Sequence, residues 1–138
     1  MTANLVIIND ALRDAGVISE IDSASAEQGS FCLRRLNQMM EVWREDGISI
    51  GYFAQSTTTD TIPIPDWAEL GVTESLAIAI SPNYGASVSP EQIAIADVSA
   101  GMILRKSLAE RQKGLDMNHL PAGAGNEANI RRNILTDS

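Results

Sequence analysis

The side chains able to do covalent or acid–base chemistry are few and widely separated in this chain. The 138 residues contain one histidine, His119, and one cysteine, Cys32. One histidine excludes a His-cluster metal site and argues against Ser-His-Asp catalysis, and one cysteine excludes a disulfide framework within the chain. Cys32 lies on the apolar stripe of a predicted helix, a position typical of a core residue and not of a nucleophile.

A pair of carboxyls is the best candidate for catalysis. Glu41 and Glu45 are four residues apart on one predicted helix face, as the two acids of a hydrolase could be. Arg44 lies beside them, so a charged outer face explains the pair equally well. Aromatic residues make up only 4% of the chain, too few for the sugar platforms of a glycosidase. The sequence predicts no enzyme, and no catalytic, cofactor-binding or metal-binding residues.

The charge balance excludes a general nucleic-acid binder. There are 18 acidic and 10 basic side chains, for a net charge of −8, whereas phosphate binding needs a positive surface. The pairs Arg34–Arg35 and Arg131–Arg132 are too small for a DNA-binding surface, although the second pair suits acidic residues on a protein partner. No targeting segment or membrane span is recognisable, because the longest apolar run covers only residues 76–80. We expect a soluble chain made in the cytoplasm, with no membrane association.

Four helices are predicted from apolar spacing and capping signals. The first covers residues 2–15, with Thr2 as its cap and Gly16 as its end, and a connector follows with Ile18 and Ile21 directed inward. The second runs from the Ser25–Gln28 capping box to about residue 46. The third covers about 66–80, with its apolar positions at Trp67, Leu70, Val72, Leu76, Ala77 and Ile80. The fourth starts at Ser89-Pro90 and ends at Gly114, with its stripe at Ile93, Ala96, Ala100, Ile103, Leu104 and Leu108.

An extended arm, about residues 48–65, separates the second and third helices. It is rich in β-branched residues, and Pro63 and Pro65 favour an edge strand or a polyproline-like lead-in over a central strand. Two interpretations stand: a loose exposed hairpin that reaches a neighbouring subunit, or an ordinary surface loop. The residues expected to make the inter-subunit contact are Ile50, Tyr52, Phe53, Ile62 and Ile64.

The last segment, residues 115–138, has no sustained period and forms an extended tail. It contains Pro-Ala-Gly-Ala-Gly-Asn at 121–126, with separated apolar residues around it. It is either a segment that orders on a partner or a frayed terminus. The fold class is therefore mainly α, with a four-helix body at residues 1–114 and an extended C-terminal tail.

Four stretches resemble, in order, the motifs of one protein family. They are Ala-Leu-Arg-Asp-Ala-Gly-Val-Ile at 11–18, Leu-Asn-Gln-Met-Met with Trp43, Asp-Gly-Ile and Gly-Tyr at 36–52, Ser-Pro-Asn-Tyr-Gly at 81–85, and Leu-Pro-Ala-Gly-Ala-Gly-Asn at 120–126. The family is the head-to-tail adaptor of tailed bacteriophages, the tail accessory factor that stabilises packaged DNA in short-tailed phages. The similarity covers most of the chain, whereas residues 127–138 match no motif.

The resemblance implies a structural virion protein at the head–tail junction. Its copies would form a ring, dodecameric in the family, beneath the portal protein, and the far side of the ring would receive later tail and neck proteins. Packaged DNA would pass the acidic body without specific binding. The tail would dock on the portal through Leu120, Pro121, Gly123, Gly125 and Asn126, and less certainly through Ile130, Arg131, Arg132, Ile134 and Leu135.

Two other hypotheses remain open from the residues themselves. One is a small cytoplasmic helical module with a regulatory role, which predicts a defined dimer or heterodimer and no affinity for a portal ring. The other is a hydrolase that uses helix carboxylates, which predicts that Glu41→Gln abolishes activity while the fold is kept.

Overall fold

The protein is a small helical bundle in which one helix is surrounded by the others. The computed structural model describes residues 2–113, and in this range α1 spans Asn4–Asp14, α2 Ala26–Glu45, α3 Glu69–Ile80 and α4 Pro90–Lys113. Two short 3₁₀ helices, Asp66–Ala68 and Ser81–Tyr84, flank α3. The predicted mainly α fold is confirmed. Met1 and residues 114–138, which include the predicted tail at 115–138, lie outside the described residues.

The N-terminus of α1 differs from the prediction in how it is capped. Thr2 does not cap the helix, since the N-cap residue is Ala3 and no side chain bonds the first turn. The free amides are satisfied by the arm instead, with Asn4 N donating to Asp60 O at 2.8 Å and Leu5 N to Thr58 O at 2.8 Å. Long-range backbone contacts thus replace the local cap that the sequence suggested.

The connector after α1 turns at Gly16, whose φ of 77° favours glycine. Ile18 packs against the core, as predicted, but Ile21 is 95% exposed. The prediction for Ile21 was wrong because polar bonds hold this stretch: Arg13 Nη2 donates to Asp22 O at 3.0 Å, and Ala24 N donates to Asn9 Oδ1 at 2.9 Å. These bonds leave the Ile21 side chain on the solvent side.

The predicted capping boxes of α2 and α4 are both present. Gln28 N donates to Ser25 Oγ and Ser25 N donates to Gln28 Oε1. Gln92 N donates to Ser89 Oγ and Ser89 N to Gln92 Oε1. Each box satisfies helix amides that would otherwise have no partner. The N-terminal ends of these two helices therefore follow from local sequence.

Helix α3 is the central helix, because it packs against α1, α2 and α4. Most of its positions are buried: Gly71, Val72, Thr73, Glu74, Leu76, Ala77 and Ile80. Leu70, predicted to be a core residue, is 57% exposed because its side of α3 faces an open cleft beside α1. Ser81–Tyr84 then turns the chain, and the Tyr84 ring meets Phe31 of α2 edge-on with centroids 5.7 Å apart.

Helix α4 packs closely on α3 through a stripe in which all side chains but Ile103 are small. Its buried positions are Ala96, Ser99, Ile103 and Ser107, three or four residues apart, so they form one stripe. A Cβ built on Gly71 of α3 would lie 2.5 Å from Cδ1 of Ile103 and 3.2 Å from Cβ of Ser99. This close approach selects the small stripe as the buried face. The larger predicted core residues Ile93, Leu104 and Leu108 are consequently part-exposed, which corrects the predicted stripe.

Candidate assembly surfaces

The predicted portal-docking residues belong to the tail, outside the described residues 2–113. They are Leu120, Pro121, Gly123, Gly125, Asn126, Ile130, Arg131, Arg132, Ile134 and Leu135. His119 lies in the same segment. Their role therefore stays a prediction.

The arm between α2 and α3 is anchored to its own chain. Ile62 N donates to Thr2 O at 2.8 Å, and an antiparallel bridge joins Ala3 to Thr61. This bridge is isolated, and residues 2–113 contain no regular strand, so the arm is an extended segment and not a hairpin. At its start, Ser49 N donates to Ser107 Oγ of α4 at 2.8 Å.

A polar network fixes the middle of the arm. Asn4 Nδ2 donates to Gln55 Oε1 at 3.0 Å and to Thr57 O at 2.9 Å, although Asn4 is wholly buried. Asn37 of α2 donates to Gln55 O and accepts from Gln55 N, both at 2.9 Å, and the Tyr52 hydroxyl donates to Asn37 Oδ1. Burial raises the pKa of Tyr52 to about 12, so this hydroxyl stays protonated and remains a donor at neutral pH.

Of the five residues predicted to reach a neighbour, most face their own core. Ile50, Ile62 and Ile64 are buried in the cluster with α1, α2 and α3, and Tyr52 is half-buried. The expected exposed arm is wrong for these residues, because burying three isoleucines is favoured over leaving them in water. Phe53, in contrast, is 65% exposed. An inter-subunit contact by the arm therefore stays a prediction for Phe53.

The described residues that were weighed for chemistry take structural positions. Cys32 is fully buried, and burial raises the pKa of its thiol to about 11, so the reactive thiolate is scarce at neutral pH. Glu41 is exposed and pairs with Arg44 at 2.6 Å. Glu45 is also exposed on the outer face of α2. These positions agree with the core-residue interpretation of Cys32 and the charged-face interpretation of the glutamates.

Two exposed apolar surfaces were not recognised from the sequence. The first is an open groove of about 430 Å³ between α2 and the end of α3, lined by Met39, Val42, Trp43 and Ala79, with polar side chains at its edge. The second is the outer side of α4, where Ile95 and Val98 are exposed. Met39 and Trp43 contact the core, but one side of each reaches the groove. Helical spacing identifies an apolar face without showing which part of it a neighbouring helix covers.

An acidic cleft between α1 and the first half of α3 was also missed. It has a volume of about 480 Å³, and its walls carry the carboxyls of Asp10, Asp14, Glu69 and Glu74 together with Arg13. Burial raises the pKa of Glu74, and the neighbouring Asp14 carboxyl raises it further. These residues are far apart in sequence on two helices, so only their packing brings them together.

The described part of the chain is a small α-helical body with apolar surfaces of the kind that make protein–protein contacts. Residues 2–134 match the P22 tail accessory factor family, so the chain belongs to that family. No curated protein sequence matches the chain. Within residues 2–113, none of the helices has the length and apolar character needed to cross a membrane.

Membership of this family makes the protein a phage tail structural protein. It is a component of the virion and associates with other phage virion proteins. The resemblance drawn from the four sequence motifs is thereby confirmed at the level of the family.

Proposed function

We propose that this protein is the head-to-tail adaptor of its phage. Copies of the chain form a ring, dodecameric as in the resembled family, beneath the portal protein at the head–tail junction. The ring extends the DNA channel, helps to retain the packaged DNA, and gives later tail proteins a surface to bind. The observation that carries this proposal is the family match over residues 2–134, which includes the tail motif at 120–126 as well as the helical body.

In this proposal the two parts of the chain have different tasks. Residues 1–114 form the adaptor body, and residues 115–138 extend along the portal through the motif at 120–126, with the apolar and basic residues at 130–135 as additional contacts. The charge distribution supports the division. The net charge of −8 belongs to residues 1–112, since the remaining residues hold equal numbers of acidic and basic side chains. An acidic ring lets DNA slide past without binding it.

The energetics of the tail explain why assembly is coupled to the portal. Each buried aliphatic anchor contributes roughly 1.5–3 kcal/mol. Ordering about twenty residues costs on the order of 1–2 kcal/mol each in backbone entropy. A few anchors in one tail cannot offset that cost, so main-chain hydrogen bonds, the body and the neighbouring copies must contribute. We therefore expect a monomeric or weakly associated free chain that closes into a ring only on the portal; a closed ring from the purified chain alone would contradict this.

Co-sedimentation with the purified portal ring of the same phage tests the proposal. The full-length chain is compared with a chain that ends at Lys113, and with Leu120→Asp. Leu115→Asp is the matched control, because it places the same charge in the tail outside the motif. We expect the full-length chain and the control to travel with the portal, and the other two to remain in the supernatant.

Each other result has a definite meaning. If the chain ending at Lys113 also binds, the helical body makes the contact and the docking role of the tail is wrong. If the full-length chain does not bind, the adaptor proposal itself fails.

The exposed arm residue is tested in the assembled state. Phe53→Ser should lower the number of copies bound per portal, because an exposed aromatic ring is the part of the arm able to reach a neighbouring copy. Ile21→Ser is the matched control, since Ile21 is at least as exposed but lies on the connector after α1. Mass photometry of the complexes measures the copy number, and equal numbers for both variants would remove Phe53 from the contact.

A further inference from the structure

The acidic cleft between α1 and α3 has more negative than positive side chains. Four carboxyls, on Asp10, Asp14, Glu69 and Glu74, line it together with the guanidinium of Arg13. Arg13 is already engaged, since its Nη1 lies 3.2 Å from Asp10 Oδ1 and its Nη2 donates to Asp22 O. Asp14, Glu69 and Glu74 are therefore left without a cationic partner among the residues that line the cleft.

Three polar atoms of this cleft are buried without a hydrogen-bond partner in residues 2–113. Glu74 is only 9% exposed, and its Oε2 has no donor; Oε1 of Glu69 likewise has none. Arg13 Nε is a buried donor without an acceptor. Leaving such buried atoms without a partner destabilises the fold. Two carboxylate oxygens of the cleft thus need a hydrogen-bond donor, and one guanidinium N–H needs an acceptor. Three unsatisfied buried polar atoms in one place are unusual.

An arginine-bearing peptide has the chemistry that meets these needs. A guanidinium offers several N–H donors and a positive charge for the carboxyls, and a peptide carbonyl accepts from Arg13 Nε. A metal ion suits the cleft less well, because no three acidic, histidine or cysteine side chains in residues 2–113 are arranged to hold one. The exposed side chains of Val6 and Leu70 at the same cleft add an apolar contact. The matching occupant is therefore a segment whose arginines are flanked by aliphatic residues.

The chain itself contains such a segment outside the described residues. Residues 130–135 read Ile-Arg-Arg-Asn-Ile-Leu, which places two arginines between aliphatic side chains. The other arginine pair of the chain, Arg34–Arg35, is built into α2, with both guanidiniums over the Phe31 ring at 5.8 and 5.2 Å. Residues 131 and 132 are the other pair of adjacent arginines in the sequence.

The length of the tail allows this contact. Gln92 Nε2 at the start of α4 donates to Asp14 O at 2.6 Å, so α4 begins beside the cleft. The helix then runs for 24 residues, about 36 Å. From Lys113 to Arg131 the extended chain spans roughly 60 Å. The segment can therefore return to the cleft of its own chain or enter that of a second copy.

We propose that residues 130–135 of the unassembled protein bind in the cleft between α1 and α3. The arginines meet Asp14, Glu69 and Glu74, and the flanking aliphatic side chains cover Val6 and Leu70. This contact does not depend on the portal-docking role of the tail. If both hold, the cleft and the portal compete for the same segment, and the tail leaves the cleft when the adaptor assembles.

Paramagnetic relaxation in the full-length chain tests the contact. A nitroxide is attached at Ser138→Cys, because the native thiol of Cys32 is buried and protonated. We expect the amide signals of Val6 and Leu70 to lose most of their intensity, whereas Val42 on the exposed side of α2 keeps its own. Equal intensities at all three positions would overturn the proposal.

Charge-neutralising variants show whether the arginines and carboxyls make the contact. Arg131→Gln with Arg132→Gln should restore the signals at Val6 and Leu70, and so should Asp14→Asn with Glu69→Gln. Two matched controls, Arg34→Gln and Glu20→Gln, change surface charges away from the cleft and should leave the intensity loss unchanged. If the signals are equally weak in both cleft variants, the segment does not bind as proposed.

A mixed sample identifies which copy supplies the segment. Spin-labelled chain without isotope is combined with ¹⁵N chain that carries no label. Intensity loss in this mixed sample places the segment in the cleft of a second copy. Loss that occurs only when the same chain carries both the nitroxide and ¹⁵N places the segment in its own cleft. Either pattern supports binding in the cleft, and loss in neither sample contradicts it.

Discussion

The side-chain amide of Asn37 in α2 pairs with the main chain of Gln55 in the arm as a neighbouring strand would. Asn37 Nδ2 donates to Gln55 O and Asn37 Oδ1 accepts from Gln55 N, both at 2.9 Å. Asn37 is the asparagine of the Leu-Asn-Gln-Met-Met stretch, and Tyr52, which donates to the same Oδ1, ends the matching motif. The Asn37 amide therefore connects the Leu-Asn-Gln-Met-Met part of the motif with the Gly-Tyr part that ends it.

Removing that amide should loosen the arm. We expect Asn37→Ala to lower the free energy of unfolding by about 1–3 kcal/mol, because the main-chain N–H and C=O of the buried Gln55 lose their partners. Urea unfolding followed by circular dichroism measures the change. Gln38→Ala, an exposed position on the same helix, is the control and should change stability little. Equal effects for the two variants would show that the Asn37–Gln55 pairing does not stabilise the fold.

The contact between α3 and α4 depends on the missing side chain of Gly71. Gly71→Ala places a Cβ 2.5 Å from Ile103 Cδ1, and we expect a loss of about 1–3 kcal/mol from overpacking. Gly101→Ala in α4 is the matched control, because its Cβ would meet only Arg105 Nη1, at 3.6 Å. That variant should gain up to about 1 kcal/mol from helix propensity. Thermal unfolding of the two variants should therefore shift in opposite directions; a shared direction would contradict the close approach.

The paired carboxyls of the cleft make stability depend on pH. Burial raises the pKa of both Asp14 and Glu74 above their ordinary values of 3.8 and 4.5. The Asp14 carboxyl raises the pKa of Glu74 further, whereas the hydrogen bond with Glu74 lowers the pKa of Asp14 and the Asp10 charge raises it. The folded chain therefore binds more protons than the unfolded chain just above those values, and the pair lowers stability as the pH rises toward neutrality. Glu74→Gln removes the contribution of Glu74 to this pH dependence.

In the chain that ends at Lys113, which lacks the 130–135 segment, the variant should consequently gain stability relative to the unsubstituted chain at about pH 7, and less or none at about pH 4.5. Urea unfolding at both pH values measures the difference. Glu41→Gln, which removes an exposed carboxyl paired with Arg44, is the control and should show no gain at neutral pH. A gain for Glu74→Gln that is the same at both pH values would rule out the carboxyl pair as its cause.

The single thiol should report global unfolding. Cys32 is fully buried and its pKa is raised to about 11, so a thiol reagent such as dithionitrobenzoate should react slowly with the native chain and rapidly in denaturant. Ser30 is an exposed position on the same helix. In the Ser30→Cys variant the new thiol should therefore react fast and the Cys32 thiol slowly under native conditions. Fast reaction of both thiols would mean that α2 opens locally without global unfolding.

Local sequence determined the parts of this fold that depend on local contacts. The Ser25–Gln28 and Ser89–Gln92 capping boxes, Pro90 at the first position of α4 and the turn at Gly16 are formed by residues within a few positions of one another. Their geometry is decided by backbone conformations and hydrogen bonds that the same short stretches make in any protein. The helices, and with them the mainly α class and the family motifs, were therefore predictable from the sequence by itself.

Only the tertiary structure decided which apolar faces are covered. The approach of Gly71 to Ser99 turned the small stripe of α4 inward and left Leu104 and Leu108 part-exposed. Hydrogen bonds from Asn4 and Asn37 hold the arm against the helices, and the isoleucines of the arm are therefore buried in the core. The acidic cleft likewise exists only because α1 and α3 lie side by side. Helical periodicity specifies that a face is apolar, but burial depends on which distant element packs against it, and that is settled by the competition among all the contacts of the folded chain.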